Sequence, residues 1–191
     1  MKTNRVRIIG GVWRSRLIAF PTRQDLRPTP DRVRETLFNW LGQDLTAKTC
    51  LDLFAGSGAL GFEAASRGAR RVIMVERDGT AFRALQENSA RLGAGAVELH
   101  RADALEFLRG NHQRYDLVFL DPPFKADYWP QLLSLLPQHM TCGALAYCES
   151  AAPPVLPAGW ETWKKGHAGQ VTFQLLKRTD NEKQGGVPGD L

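Results

Sequence analysis

The chain has 191 residues, of which 43% are hydrophobic and 24% are charged, a composition typical of one folded domain and unlike that of a disordered protein. Its apolar runs fall well short of the roughly 20 residues that cross a bilayer, and no apolar core of a secretory signal is recognisable. The formal net charge is +5, and three cysteines without a C-x-x-C pair argue against a disulfide framework or a zinc ribbon, so we expect a cytoplasmic protein.

The first predicted element is a basic β-hairpin over residues 5–20. Apolar runs at 5–9 and 17–20 flank Gly10 and Gly11, a pair typical of a turn. Residues 1–34 carry nine lysines or arginines and two acids, whereas the rest of the chain carries 16 basic and 18 acidic side chains. Such a segment is either a solvated surface or a contact for nucleic-acid phosphates. The candidate RNA-binding residues are Arg5, Arg7, Trp13, Arg14 and Arg16.

A proline-rich segment, residues 21–30, precedes the first predicted helix. Three prolines in ten residues favour an extended linker. We expect Thr29 to cap the N-terminus of the helix and Pro30 to occupy its first position. Spacings of three and four residues place the apolar side chains on one face of this helix. These side chains are Val33, Leu37, Trp40 and Leu41.

From residue 49 onwards, apolar strands alternate with helical segments. Strands are predicted at residues 49–54, 71–75, 97–100, 116–120 and 144–149. Helices are predicted at residues 59–67, 80–92, 104–109 and 128–136. This alternation is typical of βαβ units, so we expect an α/β fold with a mostly parallel sheet and helices on both faces.

The end of the chain breaks this alternation. Two strands at 161–164 and 171–176 have no helix between them, and they can complete a seven-stranded sheet as a hairpin. We expect Trp160 and Trp163 to pack in the core. The last residues are polar and rich in glycine and proline, which predicts disorder. The expected organisation is therefore a basic hairpin and linker (1–28), a main domain (29–178) and a disordered tail (179–191).

A glycine-rich loop follows the first strand of the main domain. The sequence LDLFAGSGALG contains G-x-G-x-x-G at Gly56, Gly58 and Gly61, between a strand and a helix. Glu76 ends the next strand, 20 residues after Gly56. Glycines let a ligand approach the backbone closely and a carboxylate at this spacing accepts hydrogen bonds from ribose, as in nucleotide-type cofactor sites. A tight turn that binds nothing is the alternative.

Asp52 bears on the choice of cofactor. A dinucleotide brings a negatively charged pyrophosphate, which prefers a helix N-terminus without a carboxylate beside it. S-adenosylmethionine has no phosphate and carries a positive sulfonium, which a nearby carboxylate favours. Asp52 therefore favours S-adenosylmethionine, although it can also simply cap the following turn.

The segment Asp121-Pro122-Pro123-Phe124 follows the strand predicted at 116–120, at the edge where ligands bind to parallel sheets. Two prolines remove two backbone donors and fix the chain, so the local carbonyls remain rigid acceptors. A carboxylate, carbonyls and an aromatic ring fit a planar heterocycle with an exocyclic amine. Hydrogen bonds to both N–H groups favour a tetrahedral nitrogen that can attack a methyl group held in line. Alternatively, the segment only terminates the strand.

Other chemistries find little support in the sequence. The histidines show no spacing typical of metal ligands, and Ser57 does not lie in the G-x-S-x-G pattern of a nucleophilic serine. We therefore expect no metal. The four histidines are His100, His112, His139 and His167.

Taken together, these motifs resemble a known family. LDLFAGSGALG, Glu76, Asp103 and DPPF resemble the Rossmann-like class I S-adenosylmethionine-dependent methyltransferases that act on exocyclic amines. RIIGG at 7–11, LRPTPDRVRETLFN at 26–39 and SRG at 66–68 resemble, more narrowly, the RsmD family of bacterial 16S rRNA guanine-N2 methyltransferases. The resemblance runs from about residue 5 to residue 177.

This resemblance implies a cofactor, a substrate and a set of site residues. The cofactor is S-adenosylmethionine, and the substrate is a guanine of 16S rRNA. We expect an assembled or assembling 30S particle to present this guanine, because 191 residues leave little room for a domain that reads an RNA sequence. We also expect a monomeric enzyme. The catalytic residues implied are Asp121, Pro122, Pro123 and Phe124. The cofactor-binding residues implied are Arg27, Thr29, Asp52, Phe54, Ala55, Gly56, Ser57, Gly58, Glu76, Asp103 and Ala104.

Three other functions share some of these features. A DNA or protein-glutamine methyltransferase uses a similar pocket, usually with Asn in place of Asp121. An NAD-dependent oxidoreductase shares the glycine motif, and a non-catalytic RNA-binding module shares the basic segment. If the hairpin is a separate RNA grip, removing residues 1–20 should weaken RNA binding and leave cofactor affinity unchanged.

Overall fold

A computed structural model describes residues 3–22, 28–123 and 128–179. The strands are β1 (Thr3–Arg7), β2 (Leu17–Pro21), β3 (Thr49–Asp52), β4 (Arg71–Val75), β5 (Val97–His100), β6 (Tyr115–Leu120), β7 (Met140–Ser150), β8 (Trp160–Ala168) and β9 (Val171–Arg178). The helices are α1 (Asp31–Leu41), α2 (Ala59–Ser66), α3 (Gly79–Leu92), α4 (Ala104–Gly110) and α5 (Trp129–Leu135), with a 3₁₀ turn at Leu136–His139.

Seven strands form the central sheet in the order β5-β4-β3-β6-β7-β9-β8. The strands from β3 to β7 are parallel to one another. β8 and β9 form an antiparallel hairpin, and β9 pairs antiparallel with β7. The predicted α/β fold with a mostly parallel seven-stranded sheet is confirmed. The order reverses beside β3, which pairs with β4 on one side and β6 on the other, and such a switch point is where open parallel sheets bind ligands.

Both faces of the sheet are covered, as the long apolar strands predicted. One face packs Phe38 of α1 and Phe62 of α2 against Phe119 of β6. The other packs Leu132 of α5 against Val118 of the same strand. Since side chains alternate between faces along a strand, residues two apart share a face.

The N-terminal hairpin, β1 and β2, is part of this core. The two strands pair from Thr3 with Pro21 to Arg7 with Leu17. Four of its apolar side chains are buried in the same cluster as α1 and α2. These are Val6, Ile8, Ile18 and Phe20. On α3, Asn88 fastens β2 by accepting a hydrogen bond from Ala19 N–H (3.0 Å) and donating one to Ala19 O (2.7 Å).

The predicted hairpin is confirmed, but the prediction that Gly10 and Gly11 form the turn between its strands is wrong. Residues 8–16 form a longer connection that lies on the end of α2, where Val12 N–H donates to Ser66 O (2.8 Å). Gly11 has φ +73°, and a Cβ atom there would lie 1.8 Å from Ser66 O. The glycine is therefore required by the close approach of the hairpin to α2.

Two further expectations are corrected. Thr29 does not cap α1: Pro30 is the N-cap residue, so it precedes the first helical position, and the Thr29 hydroxyl instead donates to Glu149 Oε1 on β7 at 2.6 Å. Trp160 is buried as expected, with its indole N–H donating to Leu133 O. Trp163, however, is 44% exposed and lies where the pairing of β8 with β9 is irregular, between Thr162 and Lys164.

No helix within the described ranges is long and apolar enough to cross a membrane.

Candidate active site

Four acidic side chains meet at the carboxyl edge of the parallel strands. Asp52 ends β3, Glu76 follows β4, Asp121 follows β6 and Glu149 lies near the end of β7. Because β3 pairs with both β4 and β6, and β6 pairs with β7, these four positions lie along one continuous edge. The sequence singled out the first three and missed Glu149.

The glycine-rich loop runs between β3 and α2. Gly56 has φ +52° and Gly58 has φ +82°, backbone conformations that glycine adopts without strain. A Cβ atom at Gly58 would also lie 2.6 Å from the Phe62 ring. Ala55 N–H donates to Val75 O (2.9 Å), which anchors the loop to β4. The loop therefore has the tight strand-to-helix geometry that the motif predicted.

Asp52 is buried and caps α2. Its Oδ2 atom accepts a hydrogen bond from Gly61 N–H at 3.0 Å. Burial raises the pKa of its carboxyl from 3.8 to about 7; the charges of Glu76 and Glu149 act in the same direction, and hydrogen bonds from Gly61 and Phe54 oppose them. The capping role that the sequence left as an alternative is therefore present, and the carboxyl also places negative potential at the start of the loop.

Glu76 is half-buried and holds the loop from the tip of β4. Its Oε2 atom accepts from Gly56 N–H (2.9 Å) and its Oε1 atom from Asp78 N–H (2.7 Å). These two bonds fix the orientation of the carboxylate. A carboxylate has further lone pairs, so Glu76 can still accept hydrogen bonds from ligand hydroxyls.

The remaining predicted cofactor residues differ in their surroundings. Phe54 is half-buried, with its ring 5.2 Å from that of Tyr128. Ser57 is buried, and its hydroxyl accepts from Ala59 N–H at 3.3 Å. Asp103 caps α4 through Oδ1, which accepts from Leu105 N–H at 2.9 Å.

Two further predicted cofactor-binding residues are buried alanines, and two predicted site residues lie outside the described ranges. Ala55 is buried in the loop, and Ala104 is buried as the first residue of α4. Arg27 and Phe124 lie outside the described residues.

The segment after β6 places a carboxyl beside the loop. Asp121 is half-buried, Pro122 is buried and Pro123 is exposed. Burial raises the pKa of Asp121 well above its ordinary value, and the negative charges of Glu149 and Asp52 raise it further. A carboxyl with this pKa is a better proton acceptor when ionised than an ordinary surface carboxylate.

Thr29 contacts the carboxyl edge of the sheet through Glu149, a contact that the sequence did not reveal. Its hydroxyl donates to Glu149 Oε1, which also accepts from the Tyr147 hydroxyl at 2.9 Å. On the other side, Arg34 Nε donates to Thr29 O at 3.1 Å, and Arg34 Nη1 donates to Glu63 Oε2 at 3.0 Å. Glu149 and Glu63 lack a local motif, so only long-range contacts reveal them. Arg34 lies in the LRPTPDRVRETLFN segment, but the sequence assigned it no role.

The candidate RNA-binding residues lie on the hairpin with different exposures. Arg5, Arg14 and Arg16 are exposed. Arg7 is exposed as well and pairs with Asp31 at 3.5 Å. Trp13 is half-buried against the core, and its backbone N–H donates to Ser66 Oγ. Since the hairpin is built into the core, deleting residues 1–20 would damage the fold, and point substitutions are the appropriate test of RNA binding.

Comparison with known proteins places the chain among methyltransferase relatives. The family model described as "Conserved hypothetical protein 95" matches residues 6–177. "Ribosomal RNA small subunit methyltransferase D" of Escherichia coli (strain K12) is 40% identical over 193 residues, which covers 98% of this chain and 96% of that protein. The Haemophilus influenzae protein of the same name is 41% identical over 180 residues, covering 90% and 93%.

Solved structures agree with this fold. The protein yhhF from Escherichia coli, assigned as a methyltransferase, superposes with a TM-score of 0.82 at 42% identity, covering 92% of this chain and 98% of that chain. A precorrin-6y C5,15-methyltransferase from Geobacter metallireducens has a TM-score of 0.64 at 17% identity, covering 82% and 92%, and it supports the fold alone.

Proposed function

This chain belongs to the RsmD family of ribosomal RNA small subunit methyltransferases, and from that premise we propose that it transfers a methyl group from S-adenosylmethionine to the exocyclic N2 of a guanine in 16S rRNA. The observation that carries the proposal is the adjacency of two motifs. The glycine-rich loop begins at Asp52 on β3, and the Asp121-Pro122-Pro123 segment follows β6, the strand paired with β3.

The backbone of the glycine-rich loop and the charge of the site support S-adenosylmethionine as the cofactor. The glycine loop lets a ligand approach the backbone, and Glu76 is oriented to accept hydrogen bonds from ribose. Among the described residues, no lysine or arginine forms an ion pair with Asp52, Asp121 or Glu149. Uncompensated negative charge at this edge favours a cationic sulfonium and disfavours the pyrophosphate of NAD.

In this reaction the chain mainly orients the amine. The bound donor supplies an electrophilic methyl group on a sulfonium. The Asp121 carboxylate and the neighbouring carbonyls accept the two N2 hydrogens, and this leaves the nitrogen lone pair directed away from them. Holding the lone pair and the methyl group in line supplies much of the rate enhancement. Phe124 remains the predicted stacking partner of the base.

The first experiment measures methyl transfer from a labelled donor to 30S particles that lack the modification. The wild-type enzyme should yield N2-methylguanine. Asp121→Ala should reduce the rate by roughly 10²–10⁴-fold, since it removes the acceptor of the N2 hydrogens, with unchanged affinity for S-adenosylhomocysteine. Glu161→Gln on the far edge of the sheet is the control and should behave as wild type. Methylation of DNA or of a protein glutamine, without methylation of 30S particles, would contradict the proposal.

We propose that the N-terminal hairpin binds the phosphate backbone of the RNA. Arg14 and Arg16 are exposed on the connection between β1 and β2, where they can reach phosphates. Replacing an arginine that binds a phosphate should reduce the slope of log affinity against log salt by roughly 0.7–0.9. The variants are Arg14→Gln and Arg16→Gln, with Arg114→Gln as the matched control, because Arg114 is exposed and lies outside the hairpin, directly before β6. An unchanged slope in both hairpin variants would show that the RNA binds elsewhere.

We propose that the substrate is an assembled or assembling 30S particle. The described chain is one compact domain in which even the hairpin contributes to the core, so it offers little separate surface for reading an RNA sequence. The target guanine must also leave its stack to reach the half-buried carboxyl of Asp121. Comparing rates on free 16S rRNA and on 30S particles tests this, and equal rates on both would contradict it.

A further inference from the structure

Glu149 is a buried carboxyl beside the proposed catalytic segment, with no role in the mechanism so far. It is 5% exposed and lies near the end of β7. β7 pairs with β6 in parallel, with Leu120 opposite Cys148. The next residue along each strand is Asp121 and Glu149, so the two carboxyls occupy neighbouring positions on strands about 4.8 Å apart.

The two side chains also share a face of the sheet. The rings of Phe119 and Tyr147 lie on one face with centroids 6.3 Å apart. Asp121 and Glu149 are two residues further along, and side chains two apart in extended chain point the same way. Asp121 precedes Pro122, which favours an extended conformation at that residue.

Burial raises the pKa of Glu149, and two hydroxyl donors oppose this by stabilising its ionised form. Thr29 donates to Glu149 Oε1 at 2.6 Å, and Tyr147 donates to the same atom at 2.9 Å. Hydrogen bonds donated to a carboxylate favour the charged state. The other ionisable groups that act on this pair are Asp52 and Tyr147, and no described lysine or arginine forms an ion pair with Glu149. Its negative charge is therefore not neutralised by a described cation, and it raises the pKa of Asp121 as well as those of Asp52 and Tyr147.

We propose that Glu149 is a positioning residue whose charge makes Asp121 basic enough to remove the proton that guanine N2 must lose on methylation. This inference rests on the proposed function. The N2 lone pair forms the new C–N bond while the bond from the methyl carbon to sulfur breaks, and its electron pair stays on sulfur. N2 then carries a positive charge, one methyl group and two hydrogens. One proton passes to the Asp121 carboxylate, which leaves a neutral amine and a neutral acid.

The environment of Asp121 agrees with this role. Burial, then Glu149, then Asp52 raise the pKa of Asp121. A raised pKa strengthens the carboxylate as a base, and its half-buried position lets the proton leave to solvent afterwards.

The test is the pH dependence of single-turnover methyl transfer to 30S particles by Glu149→Gln. Asp121 must be ionised to accept the proton, so the rate falls as pH falls. Without the charge of Glu149 the pKa of Asp121 drops. The acidic limb of the pH–rate profile, in which the rate rises with pH, should therefore move to lower pH. Asp121 is then also a weaker base, and the rate on the high-pH plateau should fall on the order of tenfold. A plateau loss with an unmoved limb would overturn the proposal, because that is the signature of a structural role.

Two companion variants keep the test decisive. Glu149→Asp retains the charge and should keep the limb near its wild-type position, whereas a limb displaced as far as that of Glu149→Gln would contradict the proposal. Tyr147→Phe removes one donor to the Glu149 carboxylate, so Glu149 takes up its proton at a higher pH and its effect on the pKa of Asp121 is lost sooner as pH falls. The acidic limb should therefore move to lower pH, in the same direction as in Glu149→Gln but by less. An unmoved limb would overturn the inference, even where Glu149→Gln fails to fold.

The outcomes separate the two levels of the proposal. No N2 methylation by the wild-type enzyme would defeat the proposed function itself. Wild-type methylation with an unmoved limb in Glu149→Gln would defeat only the role of Glu149. Glu161→Gln serves as the charge-matched control and should keep both limb and plateau.

Discussion

Glu63 and the carboxyls at the edge of the sheet lie on the same face of the sheet, but the protein compensates their charges differently. Glu63 on α2 is fully buried and accepts hydrogen bonds from both Arg34 and Arg67. It also accepts from the backbone N–H groups of Ile9 (2.9 Å) and Gly10 (2.8 Å). We call this the paired carboxylate. The edge carboxyls, Asp52, Asp121 and Glu149, have no cationic partner among the described residues, although Asp52 and Glu149 accept hydrogen bonds.

The difference shows which charge serves the fold and which is available to a ligand. A buried charge is costly unless the protein supplies its partners. Around Glu63 the partners come from α1, α2 and the hairpin connection, so the carboxylate joins three parts of the chain. At the sheet edge the compensation is incomplete, and the pKa values of Asp52 and Asp121 are raised as a result. A cationic cofactor or a transferred proton can supply what is missing there.

The largest expected effect is on the paired carboxylate. Glu63→Gln removes the charge that compensates two buried arginines, so the free energy of unfolding should fall by about 3–5 kcal/mol. Urea denaturation at pH 7 measures this. A loss below about 1 kcal/mol would mean that the arginines find other partners, and the contrast between the two regions would not hold.

The same kind of substitution at the edge should have the opposite sign. The pKa of Asp52 is raised from 3.8 to about 7 in the folded state, so the stability it contributes is complete below pH 4 and is lost as pH rises through 7. Asp52→Asn keeps an acceptor for Gly61 N–H and removes this penalty. The variant should gain about 4 kcal/mol at pH 8 and less than about 1 kcal/mol at pH 4. Denaturation at both pH values tests it, and a destabilised variant at pH 8 would contradict the expectation.

Glu76 is intermediate between Glu63 and the edge carboxyls, because two backbone N–H groups bond its carboxylate while it stays partly exposed to a ligand. Glu76→Gln leaves one acceptor oxygen for two backbone donors and removes the charge that we propose binds the ribose hydroxyls. Calorimetry with S-adenosylhomocysteine should show an affinity loss of roughly tenfold to a hundredfold, or about 1.5–3 kcal/mol. Affinity equal to that of the wild type would place the ribose elsewhere.

The smallest effect is expected where a paired carboxylate lies in water. Glu98 and Arg71 meet at 2.6 Å on the surface between β4 and β5, and the hydrogen bond from Arg71 lowers the pKa of Glu98. Glu98→Gln should cost less than about 1 kcal/mol at pH 7, and nothing once pH falls far enough to protonate the wild-type carboxylate. A loss as large as that of Glu63→Gln would show that pairing, and not burial, sets the magnitude.

Much of the site was legible in the sequence because its motifs are local. A buried strand followed by G-x-G-x-x-G and a helix predicts its own backbone geometry, and the observed φ values of Gly56 and Gly58 agree. The acid that ends β4 and the Asp-Pro-Pro segment after β6 follow apolar runs that could be identified as strands. Parallel pairing then brings strand ends to one edge.

Only the tertiary structure decided which polar groups compensate one another. The Thr29 hydroxyl could as well have capped α1; its bond to Glu149 spans 120 residues along the chain. The three-way contact at Glu63 and the burial of the hairpin likewise depend on which faces pack together. Sequence periodicity reports which face of an element is apolar, and it carries no information on which distant polar group that face will meet. The strands, the helices and the sequence motifs of the candidate site were therefore determined locally, whereas the electrostatics of the site were determined by packing.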